Sequence, residues 1–130
     1  MGDAGRGSGE VFKLGIGGIL MEETTCVFCA IYSDNLSDET KQLIVAETEN
    51  VIAFHDVFSS DDIHVLVVPK KHVISILEAS DVLQLELLKV VREVAADIVK
   101  AHGSCRVMTN IGEYQDVKHL HWHVGYNSEE

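Results

Sequence analysis

Apolar and polar positions alternate at two different periods along this chain. The longest periodic run covers residues 80 to about 102. Leu83, Leu87, Val90, Val94 and Ile98 recur at helical spacing there, and Leu85, Leu88, Val91, Ala95 and Val99 widen the stripe. Ser80 can cap this helix and Gly103 can end it. So wide a stripe predicts two buried faces, one on a sheet and one on a partner subunit. The alternative is a monomer that buries more of the helix. Residues 43–48 and 51–56 are β-prone runs split by Glu49 and Asn50, which read as a tight hairpin turn. Residues 63–68 are apolar apart from His64, the pattern of a central strand buried on both faces, and Pro69 closes it. Residues 105–111 form a further strand. At 119–123 the period becomes two: His119, His121 and His123 alternate with Leu120 and Trp122. An extended segment points all three imidazoles to one face and turns Leu120, Trp122 and Val124 to the core. Phe28, Ile31 and Tyr32 place a short helix over 25 to about 33, which Thr24 or Thr25 can cap. Residues 35–41, 58–62 and 112–118 read as loops, and Lys70, Lys71 and His72 as a solvated turn. The sum is an α+β domain of about five antiparallel strands with one long and one short helix.

Composition narrows the function. A chain of 130 residues, 46% of them hydrophobic, suits one domain with a real core. Glycine is frequent over 1–23 and no period appears there, so that segment reads as a flexible leader and 24–130 as the domain. Met21 is then a candidate native start, the first twenty residues being a cloning remnant, although Val11, Phe12 and Leu14 could add a short strand. A net charge of −11 argues against general affinity for nucleic acid or for anionic membrane. No run approaches the ~20 apolar residues of a membrane span, and no signal-peptide pattern is present. Three cysteines, an odd number, suit a reducing cytoplasm with free or metal-bound thiols.

The candidate chemistry lies in the histidines and cysteines. Three imidazoles on one strand face serve a metal site, a catalytic strand or a surface accident, and the apolar interleaving argues against the accident. Cys26 and Cys29 present two thiols on one turn of helix. They are half of a tetrahedral zinc site, a pair of semi-buried apolar-like thiols, or a redox dithiol. His64, inside a buried strand, needs a partner. It is either a core histidine bonded to backbone, a zinc ligand or a support for the other histidines. Asp56 ends its strand as aspartate commonly does at a turn.

Four blocks together resemble the histidine triad (HIT) superfamily, and most closely its Hint-type nucleoside phosphoramidase branch. They are Cys26-Val27-Phe28-Cys29-Ala30-Ile31, Val51-Ile52-Ala53-Phe54-His55-Asp56, His64-Val65-Leu66-Val67-Val68-Pro69-Lys70-Lys71-His72, and the run from Asn110 through the three histidines. The resemblance implies His121 as nucleophile, with His123 and His119 assisting. It implies a purine nucleotide of the AMP kind held by Phe28, Phe54, His55, Asp56 and Val57. Asp56 would take the ribose hydroxyls, and Asn110, Gln115 and Asp116 would lie near the phosphate. It implies a homodimer, with no cofactor required for catalysis. In some members it implies a structural zinc, whose ligands here would be Cys26, Cys29, His64 and His119. Two features depart from the family pattern. The loop before the triad is about two residues short, with Asp116 where a serine is expected and Tyr114 where a glycine is usual. Gly125 replaces an apolar residue. A carboxylate 4 Å from a phosphate is repulsive by ~1–4 kcal/mol, so substrate preference follows less directly than the fold. A dinucleoside polyphosphate hydrolase of the same fold and a nucleotide-binding interaction protein with little turnover are the rival readings.

Overall fold

The computed structural model describes Cys26, Phe28, Cys29 and residues 38–129. The expected leader, and most of the expected helix over 25–33, lie outside the described residues. Phe28 and Cys29 are helical.

The described elements are α1 (Asp38–Lys41), β1 (Ile44–Glu47), β2 (Val51–His55), β3 (Ile63–Pro69), α2 (Asp81–His102), β4 (Arg106–Thr109), a 3₁₀ turn (Gly112–Tyr114) and β5 (Trp122–Tyr126). The strands form one antiparallel sheet in the order β1-β2-β3-β5-β4. Residues 35–41, expected as loop, contain the single turn of α1, where Asp38 and Glu39 sit favourably at its start.

Alternation places the core. Val51 and Ala53 of β2, Val65 and Val67 of β3, and Val124 of β5 point to one face together with Leu120. There they meet Leu87, Val90, Val91, Val94 and Ile98 of α2. Ile52, Phe54, Leu66 and Val68 point to the other face and form a smaller cluster with Phe28. β3 is therefore buried on both sides, as its unbroken apolar run requires. α2 begins where Ser80 accepts a hydrogen bond from the Leu83 amide at 3.2 Å, and ends at Gly103, whose φ of 94° is the left-handed cap that glycine favours.

The turn joining β1 and β2 is tied to α2 by Glu86. Its carboxylate accepts from the Asn50 amide at 2.9 Å, the Asn50 side chain at 3.0 Å and the Thr48 hydroxyl. These donors hold the Glu86 carboxyl below its usual range.

β4 is one edge of the sheet, with Val107 and Met108 exposed. On α2 the second apolar stripe is divided. Val91 is buried, Ala95 is half-buried, and Leu85, Leu88 and Val99 are exposed.

Candidate functional site

The face of the sheet opposite α2 carries the histidines, and the register aligns them. Phe54, Leu66, His123 and Met108 form one row across β2, β3, β5 and β4, and His64, Gly125 and Arg106 form the next. The histidine run does not lie wholly in a strand. β5 begins at Trp122, so His119 and His121 precede it. His121 and His123 share the open face, with ring centroids 4.8 Å apart. His119 turns away from them toward Cys26 and Cys29. The expectation of three imidazoles on one face therefore holds for two, because the chain leaves the pleat at Leu120, whose amide donates to the Val73 carbonyl at 2.6 Å.

His121 is buried, and its Nδ1–H donates to the main-chain oxygen of His119 at 2.7 Å. That bond fixes the tautomer, so Nε2 carries the lone pair. Burial pushes the His121 pKa below its ordinary value, which keeps the ring neutral near pH 7. Phe28 packs edge-on against it at 5.1 Å and against His119 at 5.6 Å.

A second chain of groups leads away from His123. Its Nδ1 lies 2.9 Å from His64 Nε2, and His64 Nδ1 lies 3.3 Å from Asp56 Oδ2. His64 Nδ1 faces the carboxylate without a hydrogen bond to it, and the remaining ring nitrogen of His123 is Nε2. That Nε2 is buried without a hydrogen-bond partner among the described residues. Burial, with His121 and His64 close by, lowers the His123 pKa to about 4.

A third cluster joins Cys26, Cys29, His72 and His119, whose ligand atoms all lie within 4.8 Å of one another. Cys26 Sγ is 3.2 Å and Cys29 Sγ 3.5 Å from His119 Nδ1, and Cys29 Sγ is 3.3 Å from His72 Nδ1. Ligands on a tetrahedral zinc ion, with bonds of about 2.3 Å to sulfur and 2.0 Å to nitrogen, stand about 3.5 Å apart. His119 Nε2–H donates to the Pro69 carbonyl at 2.8 Å, leaving Nδ1 free to ligate, the usual outer support of a metal-bound imidazole. The residues therefore fit zinc. One expected ligand is corrected: His64 stands with Asp56 and His123, and His72 is the fourth member of the cluster. His64 lies inside β3, whose pleat directs it to the row of Gly125, whereas Pro69 ends that strand and lets the following turn bring His72 to the thiols. The solvated-turn reading of His72 missed this. With no metal bound, burial raises the Cys26 thiol to about 11 and lowers His119 to about 4.

The remaining expected residues are divided. Phe54 is buried against Phe28 at 6.1 Å, while His55 and Val57 are exposed and Asp56 is half-buried. Asp56 Oδ1 also accepts from the Phe58 amide at 3.0 Å. Gln115 is buried, and its Nε2 donates to the Ile74 carbonyl at 2.7 Å, so that amide braces the loop, while its Oε1 has no partner among the described residues. Asp116 is exposed yet close enough to raise the His121 pKa against the effect of burial. Asn110 is half-buried at the end of β4.

Comparison with known proteins follows the same outline. The HIT domain profile matches residues 37–126. An adenosine 5'-monophosphoramidase of Danio rerio is 31% identical over 109 residues, which are 78% of this chain and 64% of that protein, so the chain spans less than two thirds of it. One of Schizosaccharomyces pombe is 32% identical over 104 residues, 77% of this chain and 72% of that protein. Among solved structures, a hypothetical histidine triad nucleotide-binding protein from Sulfolobus tokodaii superposes with a TM-score of 0.69 at 36% identity, covering 81% of this chain and 70% of that one. A HIT family hydrolase from Clostridium thermocellum gives 0.67 at 32% identity, covering 82% and 94%.

Proposed function

The chain belongs to the HIT domain family, and from that membership we propose that it is a nucleoside phosphoramidase acting on AMP-type conjugates. The observation that carries this reading is the fixed tautomer of His121, whose Nδ1–H bond to the His119 carbonyl leaves the lone pair on Nε2. In the first step that lone pair attacks the α-phosphorus, a P–N(His121) bond forms and the bond to the leaving amine breaks. The amine departs with a proton. His123 Nε2 supplies it once the anionic phosphate, entering beside the ring, has offset the burial that otherwise keeps it neutral. In the second step water attacks phosphorus, its proton passes to His123, the P–N(His121) bond breaks and AMP is released. Splitting one displacement into two is the advantage of a covalent nucleophile. The His119 carbonyl, already bonded to Nδ1–H, stabilises the positive ring of the intermediate. Phe54 and Phe28 offer an apolar wall for the base, with His55 and Val57 at its rim. Asp56 offers acceptors to the ribose, and Asn110, with Asp116 nearby, faces the phosphate end.

Zinc at Cys26, Cys29, His72 and His119 would supply a structural crosslink between the N-terminal helical turn and the sheet. It is not needed at phosphorus. A homodimer pairing β4 edges and the exposed stripe of α2 would cover Val107, Met108, Leu85, Leu88 and Val99. No described helix is long and apolar enough to cross a membrane, and the free thiols suit the reducing cytoplasm. The exposed Asp116 favours one rival, a nucleotide-binding protein with little turnover.

The test is AMP release from adenosine 5'-phosphoramidate by the native chain and by His121→Ala. Release that disappears in the variant supports the reading. Binding of AMP without release from either protein favours the low-turnover rival.

A further inference from the structure

Phe28 lies between two thiols in sequence and between two sites in space. Cys26 and Cys29 flank it, and their sulfurs stand 3.2 and 3.5 Å from His119 Nδ1. The ring of Phe28 is buried on the histidine face of the sheet, its centroid 6.1 Å from Phe54 and 5.1 Å from His121. It also packs edge-on against His119, a member of the thiol cluster, at 5.6 Å. One side chain is therefore shared by the cluster that fits zinc and by the ring proposed to attack phosphorus.

The two flanks of that cluster are held very differently. On one flank, residues 69–73 and 119–121 are fastened by hydrogen bonds that need no metal. His119 Nε2–H donates to the Pro69 carbonyl at 2.8 Å, and the Leu120 amide donates to the Val73 carbonyl at 2.6 Å. On the other flank is the helical turn that carries Phe28. Among the described residues, no main-chain hydrogen bond joins that turn to the sheet. It is attached by the Phe28 ring and by the two thiols. A metal would seize the turn by its sulfurs, and a nucleoside against Phe54 would seize it by its ring. Each ligand orders the same turn, so the second to bind finds that ordering already done.

We propose that zinc at the cluster and a nucleotide at His121 are coupled through Phe28, each binding more tightly when the other is present. The coupling rests on the nucleotide reading above. Linkage requires the two enhancements to be equal. Affinity for the nucleotide then follows the supply of zinc, although the ion meets no atom of the substrate.

Two binding measurements on the full chain test this without turnover. Calorimetry gives the affinity for AMP of the zinc-loaded chain, freed of excess metal, and of the chain stripped of metal. A competing chelator gives the affinity for zinc with and without saturating AMP, corrected for zinc held by AMP alone. Each affinity rises about fivefold or more, by the same factor. Phe28→Leu keeps an apolar side chain and all four donors. It still binds one zinc per chain, which shows that it folds, and the enhancement shrinks to about twofold or less. A loss of structure alone would weaken both ligands separately without removing their mutual effect. AMP affinity that ignores zinc, or falls with it, overturns the coupling and leaves the nucleotide reading standing. An enhancement undiminished in Phe28→Leu, or a chain that binds AMP but no zinc, does the same. Trp122 of β5, the single tryptophan, reports whether the stripped chain keeps its sheet. Emission of an unfolded chain there also overturns the proposal, because the linkage would then be folding itself. Failure of AMP to bind either form overturns both readings.

Discussion

His119 serves two neighbours with different parts of itself. Its ring lies among the thiols of Cys26 and Cys29, and its carbonyl orients the ring of His121. Replacing the side chain therefore tests the first role while the peptide oxygen remains. His72→Ala is expected to lower zinc stoichiometry, measured by metal analysis after dialysis, as strongly as Cys26→Ser does. His64→Ala leaves zinc unchanged and instead slows AMP release. The reverse pattern would restore the ligand set first expected from sequence. Because the thiols must lose protons to bind metal, with Cys26 at about 11 in the metal-free state, zinc affinity falls as pH falls. His123 gives a separate acid signature. Its folded pKa of about 4 lies below the ordinary ~6.5. Below ~6.5 the unfolded chain takes up a proton that the folded chain refuses. The contribution to stability is thus intact near neutrality and is lost as pH falls from ~6.5 to ~4, by about 3 kcal/mol at most. Urea titrations across that window should show the decline, and His123→Gln should lessen it, the rest coming from His119 and His121, which burial also lowers. The histidine run and the thiol pair were legible because their spacing is local. His72 was not, since two lysines before it make any turn look solvated, and only the fold shows what faces it.

Elements were legible where one period dominates. The long helix starts and stops where Ser80 and Gly103 predict, because both caps act through backbone groups that every helix leaves unpaired. Ser80→Ala is expected to cost about 1 kcal/mol by thermal unfolding. Gly103→Ala, forced to a φ of 94°, should cost on the order of 1 kcal/mol or more. Leu87→Ala, at a side chain with no exposed surface, should cost about 2–5 kcal/mol. The histidine strand was less legible. Alternation over 119–123 reads as five extended residues, but the pull of Leu120 onto Val73 and of His119 onto the thiols starts β5 only at Trp122. Such long-range contacts leave no mark on a local period. The α1 turn was missed for the opposite reason: four polar residues are too few to show a period at all.

At the scale of the whole molecule, part of the apolar surface left exposed by the single chain lies on the β4 edge and on one side of α2. A wide stripe was visible in the sequence, but whether a second chain covers it depends on surface that only the fold exposes. Met108→Lys and Leu88→Glu each place a charge there without entering the core, because both residues are exposed. Sedimentation of the native chain should give twice the monomer mass, and the double variant should give the monomer. A native chain that already sediments as a monomer would return the exposed stripe to the status of ordinary surface.

The contacts of Phe28 separate the heritable unit from the working one. The region matched by the family profile starts at residue 37, and every strand of the sheet lies within it. Phe28 lies outside that region, yet its ring closes over His119, His121 and Phe54. An excised fragment of residues 37–126 would retain all five strands and α2 but lose the ring packed over His121 and both thiols. Anyone grafting this domain onto another scaffold should therefore cut before Cys26, or accept a fold whose His121 ring stands open to bulk water.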